Sequence, residues 1–219
     1  MKKPILCFDL DGTLIDSRRD IAFSLNLALK EEGFRPLKQE VIEGLVGWGA
    51  KQLVQDALGA SGSKILERVF ASFWRYYEEH LLDETRLYSG VEEVLHKLQD
   101  YPKGVITNKP ELFSQKILDG LGLSSFFDFL IAADTLPVQK PDPETMAPLW
   151  TRFGPRLTGL MVGDSIVDLQ FAKAAGLKSC VVTYGFGKKE DFKELKPDYW
   201  IDSFHELEAL DFFTGGPHV

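Results

Sequence analysis

The stretch Phe8-Asp9-Leu10-Asp11-Gly12-Thr13-Leu14 contains the end of a short apolar segment and two acidic residues that follow it. Residues Ile5–Leu10 are too few for a stable helix, and they are typical of a strand that is buried on both faces of a parallel sheet. Ligands of such sheets bind beyond the carboxyl ends of the strands, which is where Asp9 and Asp11 lie. Gly12 lets the backbone turn and approach a ligand closely. A simple Asp-Gly turn is the alternative, but two acids and a following Thr exceed what a turn requires.

Similar apolar segments recur along the chain and alternate with segments of helical period. The predicted strands are Ile5–Leu10, Gly104–Thr107, Phe129–Ala132, Leu160–Val162 and Cys180–Thr183. The predicted helices between them are Val91–Leu98, Glu111–Leu121 and Ile166–Ala175. This alternation predicts the α/β fold class, with a Rossmann-like parallel sheet core and helices on both faces.

A region of purely helical pattern interrupts the alternation after the first strand. Its predicted helices are Arg19–Glu32, Lys38–Glu43, Gly49–Leu58 and Lys64–Leu82. We therefore predict an all-helical insertion at residues 17–87 and an α/β core domain formed by residues 1–16 and 88–219. The last residues, Thr214–Val219, carry no periodic pattern and are expected to form a loose tail.

Composition and charge exclude several classes of protein. The chain has 219 residues and 44% of them are hydrophobic, which is enough for a core and argues against disorder or a coiled coil. The formal net charge of -8 argues against a nucleic-acid partner, since phosphate backbones are bound by an excess of Lys and Arg. No run longer than nine residues lacks acidic and basic side chains, so no segment is expected to cross a membrane. Cys7 and Cys180 make no disulfide framework, and the expected compartment is a reducing cytoplasm.

A second acidic cluster follows the predicted strand Leu160–Val162. Asp164 and Asp168 are four residues apart, so a helix beginning near Ser165 would place both carboxylates on one side of its first turn. Acids near a helix N-terminus are also favoured by the helix dipole, and a helix cap with a first-turn Asp is the structural alternative.

Two further strand ends carry donors rather than acids. Thr107-Asn108-Lys109 offers a hydroxyl and backbone N–H groups at the start of a helix, which suits a phosphate or an oxyanion. Lys140-Pro141 follows the strand near Ile131, before another helix. Surface loops would explain either sequence on its own.

The four strand ends together predict a phosphoryl-transfer site. Clustered carboxylates repel one another unless a cation lies between them, and a set of oxygen ligands suits Mg²⁺. The lysine and threonine would then neutralise and hydrogen-bond the oxygens of a phosphoryl group.

The same residues resemble the four motifs of the haloacid dehalogenase superfamily of phosphohydrolases. The matching motifs are Asp9-x-Asp11-Gly12-Thr13, Thr107-Asn108, Lys140-Pro141 and Gly163-Asp164-x-x-x-Asp168. The match covers essentially the whole chain with order and spacing intact, and the helical insertion resembles the cap domain that many members carry. Val162-Gly163-Asp164-Ser165 and Thr183-Tyr184-Gly185-Phe186-Gly187 are similar, more narrowly, to phosphoglycolate phosphatases.

The resemblance implies catalytic roles for individual residues. Asp9 would attack the phosphorus and form an aspartyl-phosphate. Asp11 would protonate the leaving alkoxide and then take a proton from the hydrolytic water. Thr107 and the backbone of Asn108 would hold phosphoryl oxygens, and Lys140 would offset the charge on Asp9 and the phosphate.

The resemblance also implies a Mg²⁺ site. The side chains of Asp9 and Asp164 and the backbone carbonyl of Asp11 would be its protein ligands. Asp168 would orient Lys140 or a metal-bound water rather than bind the metal directly.

The cap is expected to select the substrate through the loop Gly47-Trp48-Gly49-Ala50-Lys51. Gly47 and Lys51 are the candidate substrate-binding residues there, and Lys51 would bind the carboxylate of a small phosphorylated acid. A helix–helix turn with a solvated lysine is the alternative. The aromatic residues of the next predicted helix (Phe70, Phe73, Trp74 and Tyr77) are expected to pack in the core, with a dimer contact as the alternative.

The reaction expected from the resemblance is magnesium-dependent hydrolysis of 2-phosphoglycolate. A sugar-phosphate phosphatase or a phosphosugar mutase similar to beta-phosphoglucomutase is the alternative, because the active-site residues would be nearly identical. Asp11 argues against a dehalogenase or a phosphonatase, which lack the second acid of the first motif. The expected partners are a small phosphorylated acid or a sugar phosphate, with no nucleic acid and no membrane, and the chain is expected to be a monomer or a homodimer.

Overall fold

The computed structural model describes residues 3–59, 64–155 and 157–214, and the strands found there form one large sheet and one small one. The strands are β1 (Ile5–Phe8), β2 (Ile15–Asp16), β3 (Arg86–Leu87), β4 (Lys103–Ile106), β5 (Phe129–Ile131), β6 (Gly159–Gly163), β7 (Lys178–Val182) and β8 (Tyr199–Ile201). The predicted tail at Thr214–Val219 lies almost wholly outside the described residues.

Helices flank and connect these strands. The α-helices are α1 (Arg18–Glu31), α2 (Gln39–Glu43), α3 (Ala50–Leu58), α4 (Leu66–Glu79), α5 (Val91–Lys97), α6 (Glu111–Gly120), α7 (Ala147–Phe153), α8 (Ile166–Ala174) and α9 (Asp211–Thr214). Short 3₁₀ helices occupy Ser124–Phe126, Pro143–Met146, Lys189–Phe192 and Phe204–Ala209. None of the described helices is long and apolar enough to span a membrane.

The large sheet has the strand order β5-β4-β1-β6-β7-β8, and all of its strands are parallel. β1 is central, with Phe8 opposite Val105 on one side and Val162 on the other. The chain leaves β1 toward β4 and later returns to its other side at β6, so the strand order reverses at β1. This reversal opens a crevice at the carboxyl ends of these strands, where ligands of such sheets bind.

The apolar run of β1 is explained by burial on both faces. Leu6 and Phe8 pack in the larger hydrophobic cluster, while Ile5 and Cys7 pack in a second cluster on the opposite face. Successive side chains of a strand point to opposite faces, and helices cover both sides of this sheet. Cys7 and Cys180 are buried free thiols. The predicted parallel α/β core is confirmed.

Two short strands stand where the chain enters and leaves the helical insertion. β2 and β3 pair antiparallel, with Ile15 opposite Leu87 and Asp16 opposite Arg86. Helices α1–α4 lie between them in sequence, and α1 packs on α4. The sequence pattern predicts no strand in this region, because a two-residue strand is too short to produce a periodic pattern. The domain boundaries at residues 17–87 remain a prediction.

A third unpredicted strand is β8 at the edge of the large sheet. It has three residues, and Trp200 in its middle is 42% exposed. The strand pairs in parallel with β7 and extends the sheet from the five predicted strands to six.

Candidate active site

The carboxyl end of β1 places the two acids of the first motif at the crevice. The Asp9 N–H donates to the carbonyl of Val162 at 2.9 Å and continues the pairing with β6. Gly12 has a φ of +81°, and a Cβ at this position would lie 2.3 Å from Asp164 Oδ2. A glycine is therefore required for the first acidic loop to pack against Asp164.

Lys140 joins two of the acidic residues. Its Nζ lies 2.8 Å from Asp9 Oδ1 and 2.6 Å from Asp168 Oδ1, and its side chain is buried. Burial disfavours the ammonium, but Asp168 and Asp9 outweigh burial and raise the pKa of Lys140 to about 12. Lys140 is thus a fixed positive charge beside Asp9.

The acidic residues form a compact cluster. Carboxylate oxygens of Asp9, Asp164 and Asp168 lie within 4.8 Å of one another. Burial and the repulsion from Asp168 raise the pKa values of both Asp9 and Asp164, despite Lys140 beside Asp9. The single ammonium of Lys140 leaves the cluster with excess negative charge, which fits a divalent cation with oxygen ligands.

Asp168 already has donors on both carboxylate oxygens. Lys140 occupies Oδ1, while the backbone N–H and the hydroxyl of Ser165 donate to Oδ2 at 3.1 and 2.6 Å. Ser165 and Asp168 form the capping box at the start of α8, so the helix terminus holds this carboxylate in place. The structure places Asp168 where it can orient Lys140.

Asp164 is held by a loop after β7. Its Oδ2 accepts the backbone N–H groups of Phe186 at 2.7 Å and Gly187 at 3.3 Å. Its Oδ1 lies 3.4 Å from the hydroxyl of Thr13. These contacts leave Oδ1 the less engaged oxygen and direct it toward the first acidic loop.

Asp11 lies in a hydrogen-bonded group that sequence reasoning missed. Both of its carboxylate oxygens are 2.9 Å from Lys109 Nζ, and Oδ1 accepts the hydroxyl of Ser17. Lys109 Nζ also donates to the hydroxyl of Tyr77 on α4 at 2.5 Å. Lys109 adjoins the second motif and could have been singled out as a charged residue there, but its partners on the first loop and the cap have no sequence signal.

Thr107 and Asn108 lie at the carboxyl end of β4, as predicted, and both are buried. The hydroxyl oxygen of Thr107 accepts the Lys109 N–H at 3.2 Å, which leaves its own proton to donate. The Asn108 side-chain N–H₂ donates to the carbonyls of Gly47 at 3.0 Å and Lys140 at 2.9 Å. This side chain therefore ties the cap loop to the core.

A cavity of about 430 Å³ lies between the cap and the acidic cluster. Asp9, Asp11 and Asp164 face it from the core, and Gly47 faces it from the cap. Apart from Glu43, the rest of its cap side is largely apolar and aromatic, and it includes Ile21, Val46, Trp48, Leu53, Phe73 and Tyr77.

Lys51 does not lie where the sequence analysis expected it. It is absent from the residues that line the cavity, and its Nζ lies 2.6 Å from Glu67 in an exposed ion pair. Lys51 lies in the first turn of α3 with its side chain directed toward α4 and solvent, whereas Ala50 and Leu53 of the same helix face the cavity. The structure therefore does not support carboxylate binding by Lys51.

The aromatic residues of α4 pack inside the molecule. Phe73 and Tyr77 are buried and stacked at 5.5 Å, and Tyr77 and Trp74 both contact Phe113 on α6. The expected core packing is found, and two of these rings also form part of the cavity wall.

Comparison with known proteins assigns the family. The family model for haloacid dehalogenase-like hydrolases matches residues 6–182, which contain all four motifs. The chain belongs to the haloacid dehalogenase-like hydrolase family. The resemblance seen in the motifs is thereby confirmed.

Several relatives within this hydrolase family share most of the chain. The Colwellia psychrerythraea protein named phosphoglycolate phosphatase is 37% identical over 218 residues, which cover 94% of this chain and 96% of that protein. A phosphoglycolate phosphatase from Neisseria meningitidis is 36% identical over 213 residues, with 92% and 91% covered. The crystal structure described as a predicted phosphoglycolate phosphatase from Haemophilus somnus 129PT has a TM-score of 0.86 and 31% identity, and it covers 95% of this chain and 98% of that chain.

Proposed function

We propose that this haloacid dehalogenase-like hydrolase is a Mg²⁺-dependent phosphatase that converts 2-phosphoglycolate to glycolate and phosphate. The chain is a phosphoric monoester hydrolase, as its family and relatives indicate. The observation that carries the mechanism is the convergence of Asp9, Asp11, Lys140 and Asp164 at one sheet edge beside the cavity. The similarity to proteins named phosphoglycolate phosphatase supports the choice of substrate.

Asp9 is the nucleophile in this proposal. An oxygen of its carboxylate attacks the phosphorus, the bond from phosphorus to the leaving oxygen breaks, and an aspartyl-phosphate forms. Lys140, 2.8 Å from Asp9 Oδ1, holds the carboxylate in one orientation and offsets the negative charge that the phosphate brings. Water then cleaves the aspartyl-phosphate and releases inorganic phosphate.

Asp11 is the general acid and base. It lies two residues beyond Asp9 and faces the same cavity, so it can protonate the leaving oxygen of glycolate and later accept a proton from the attacking water. Thr107, with its free hydroxyl proton, and the Asn108 backbone would hold phosphoryl oxygens.

The acidic cluster fits Mg²⁺. Asp9 and Asp164, with the backbone carbonyl of Asp11, would hold the ion, while Asp168 keeps Lys140 in place. When bound, the ion neutralises the carboxylates and polarises the phosphoryl group. The raised pKa values of Asp9 and Asp164 support this assignment, because they indicate carboxylates that lack sufficient positive charge around them.

The proposed setting is the reducing cytoplasm. The buried thiols of Cys7 and Cys180 are free, which suits a compartment that keeps thiols reduced. The net charge of -8 disfavours binding to nucleic-acid phosphates.

The test is phosphate release from a panel of esters with Mg²⁺ and with a chelator. The panel contains 2-phosphoglycolate, glucose 1-phosphate, glucose 6-phosphate, a nucleoside monophosphate and pyrophosphate. We expect activity to be concentrated on 2-phosphoglycolate and to be lost with the chelator and in Asp9→Asn. Asp100→Asn, a matched change at an exposed position, should retain activity.

The other outcomes separate the alternatives. Activity spread over the panel would support the assignment as a phosphatase and contradict 2-phosphoglycolate as its substrate. Isomerised sugar phosphate without phosphate release would indicate a mutase. Full activity of Asp9→Asn would exclude the aspartyl-phosphate mechanism.

A further inference from the structure

We infer that Lys109 and Tyr77 form the binding site for the carboxylate of the substrate, so that the second-motif loop of the core and helix α4 of the cap together recognise it. The inference rests on the proposed function, because it assigns the group that distinguishes 2-phosphoglycolate from a neutral phosphate ester. The carboxylate-binding residue expected from the sequence, Lys51, lies outside the cavity.

Lys109 is a buried cation on the wall of the cavity. Its side chain is only 5% exposed, and its Nζ contacts Asp11 and Tyr77. On the cap side the neighbouring wall is aromatic, with Phe73 and Phe113 beside Tyr77. An anion in such surroundings interacts with an ammonium more strongly than it would in water.

Tyr77 provides a second donor at the same point. Its hydroxyl oxygen accepts a hydrogen bond from Lys109 Nζ, and the hydroxyl proton remains available to an acceptor in the cavity. Burial, with further contributions from Asp11 and Asp20, holds the pKa of Tyr77 well above its ordinary value, so the hydroxyl keeps its proton. An ammonium and a hydroxyl side by side match the acceptor oxygens of a carboxylate.

The position of Asp11 brings the substrate carboxylate to this pair. Asp11 must contact the leaving oxygen, and the carboxyl carbon of 2-phosphoglycolate is two bonds, about 2.5 Å, from that oxygen. Lys109 Nζ is 2.9 Å from both carboxylate oxygens of Asp11. A carboxylate attached to the leaving group therefore lies within reach of Lys109 without any movement of the core.

Other cations near the cavity are less suitable. Lys140 does not line the cavity, and its ammonium lies on the phosphate side between Asp9 and Asp168. Lys188 lines the cavity as an exposed residue, where water screens its charge. Arg18 is engaged with Asp16 and Tyr88.

The experiment compares 2-phosphoglycolate with ethyl phosphate, which has the same leaving oxygen and methylene but no carboxylate. The readout is the ratio of kcat/KM for the two esters, because any effect of Lys109 on Asp11 alters both substrates and cancels in the ratio. We expect Lys109→Met to lower the ratio about 10- to 100-fold and Tyr77→Phe to lower it about 2- to 10-fold. Lys51→Met and Lys188→Met remove the rival lysines, and we expect the ratio to stay within about twofold of the wild-type value.

A binding measurement keeps the inference testable if Lys109→Met has no measurable turnover. Calorimetry with Mg²⁺ compares the single variant Asp9→Asn with the double variant that also carries Lys109→Met. We expect Lys109→Met to weaken the binding of 2-phosphoglycolate at least about tenfold and to leave the binding of ethyl phosphate nearly unchanged. Circular dichroism melting checks that both variants are folded.

Several outcomes would overturn the inference. Lys109 would be excluded as the carboxylate-binding group if the kcat/KM ratio of Lys109→Met equalled that of the wild type. It would also be excluded if the ratio fell in Lys51→Met or Lys188→Met instead, or if Lys109→Met weakened the binding of both esters equally. A wild-type enzyme that does not prefer 2-phosphoglycolate would overturn both this inference and the proposed substrate. Absence of chelator-sensitive phosphate release from both esters would contradict the proposed function alone, and the binding arm would then decide the role of Lys109 by itself.

Discussion

At the scale of single residues, the active site depends on pairs of opposite charge in a buried place. Lys140 lies between Asp9 and Asp168, and Lys109 lies beside Asp11. A buried charge is costly unless it is paired, so each lysine holds its aspartate in one position. The two acids of the first motif therefore have separate cationic partners, which suits the separate roles that we propose for them as nucleophile and proton donor.

Asp168 offers a residue-scale test of this arrangement. Asp168→Asn removes the carboxylate that holds Lys140, and we expect kcat to fall about 10- to 100-fold with a smaller change in KM. Steady-state kinetics on the preferred ester measures both constants, and the exposed Asp56→Asn is the matched control. A kcat equal to that of the wild type would show that Lys140 needs no help from Asp168.

At the scale of elements, one hydrogen-bonded contact lies within the helical insertion and another joins the insertion to the core. Asp20 at the start of α1 receives the backbone N–H groups of Glu84 and Thr85 and the hydroxyl of Thr85, just before β3. Asn108 at the end of β4 donates to the carbonyl of Gly47 in the cap loop. The first contact holds the returning chain beside α1, and the second holds the cap loop over the cavity.

Asp20→Ala should destabilise the fold. The change leaves three donors without an acceptor, two of them buried, and we expect it to lower the free energy of unfolding by about 2–4 kcal/mol. Chemical denaturation measures this free energy. The control variant Asp83→Ala, at a nearby exposed position, should lower it much less. Equal stability of the two variants would contradict the structural role of Asp20.

Asn108→Ala should loosen the cap loop. The variant loses the hydrogen bonds to Lys140 and to Gly47. The bond to Gly47, about 0.5–1.5 kcal/mol, is the one that holds the loop, and its loss predicts roughly 2- to 10-fold faster amide exchange in residues 44–50. Hydrogen exchange read by mass spectrometry measures this rate, and α5 serves as the internal reference because it lies on the core. Exchange unchanged in residues 44–50 would show that other contacts hold the loop.

At the scale of the whole molecule, the acidic cluster links stability to pH and metal. Burial, the larger cause, and repulsion from neighbouring carboxylates, the smaller one, raise the pKa of Asp9 to about 6 and that of Asp164 to about 8. The ordinary pKa value for both is 3.8. Between these values and 3.8 the folded chain binds more protons than the unfolded chain. The contribution of these two carboxyl groups to the stability of the metal-free protein should therefore be greatest near pH 3.8. It should decrease as the pH rises through the raised pKa values.

Mg²⁺ should reverse this loss. In the proposed site the ion would bind the deprotonated carboxylates of the folded chain, so we expect the increase in melting temperature on adding Mg²⁺ to be larger at pH 8 than at pH 5. Thermal melts with Mg²⁺ and with a chelator at the two pH values measure this difference, and Asp164→Asn should reduce it. An equal increase at both pH values would contradict the assignment of the cluster as the metal site.

The sequence by itself was sufficient for the parts of this protein that local patterns determine. The apolar run of β1, buried on both faces, and the helical period of α1 follow from short-range periodicity. The motif residues could be placed at one edge of the sheet because parallel strands end at the same edge, whatever their exact packing. The family followed from the same residues, since their order and spacing are local features of the chain.

Only the tertiary structure decided the contacts between distant segments. The group formed by Asp11, Lys109 and Tyr77 joins residues 98 and 32 positions apart, and no local pattern encodes such a pairing. Lys51 faces solvent because α3 turns its apolar face toward the cavity, and the rotation of a helix depends on what it packs against. Which lysine reaches the substrate is therefore a property of the packed cap and core, whereas the presence of the acids at the sheet edge is a property of the sequence.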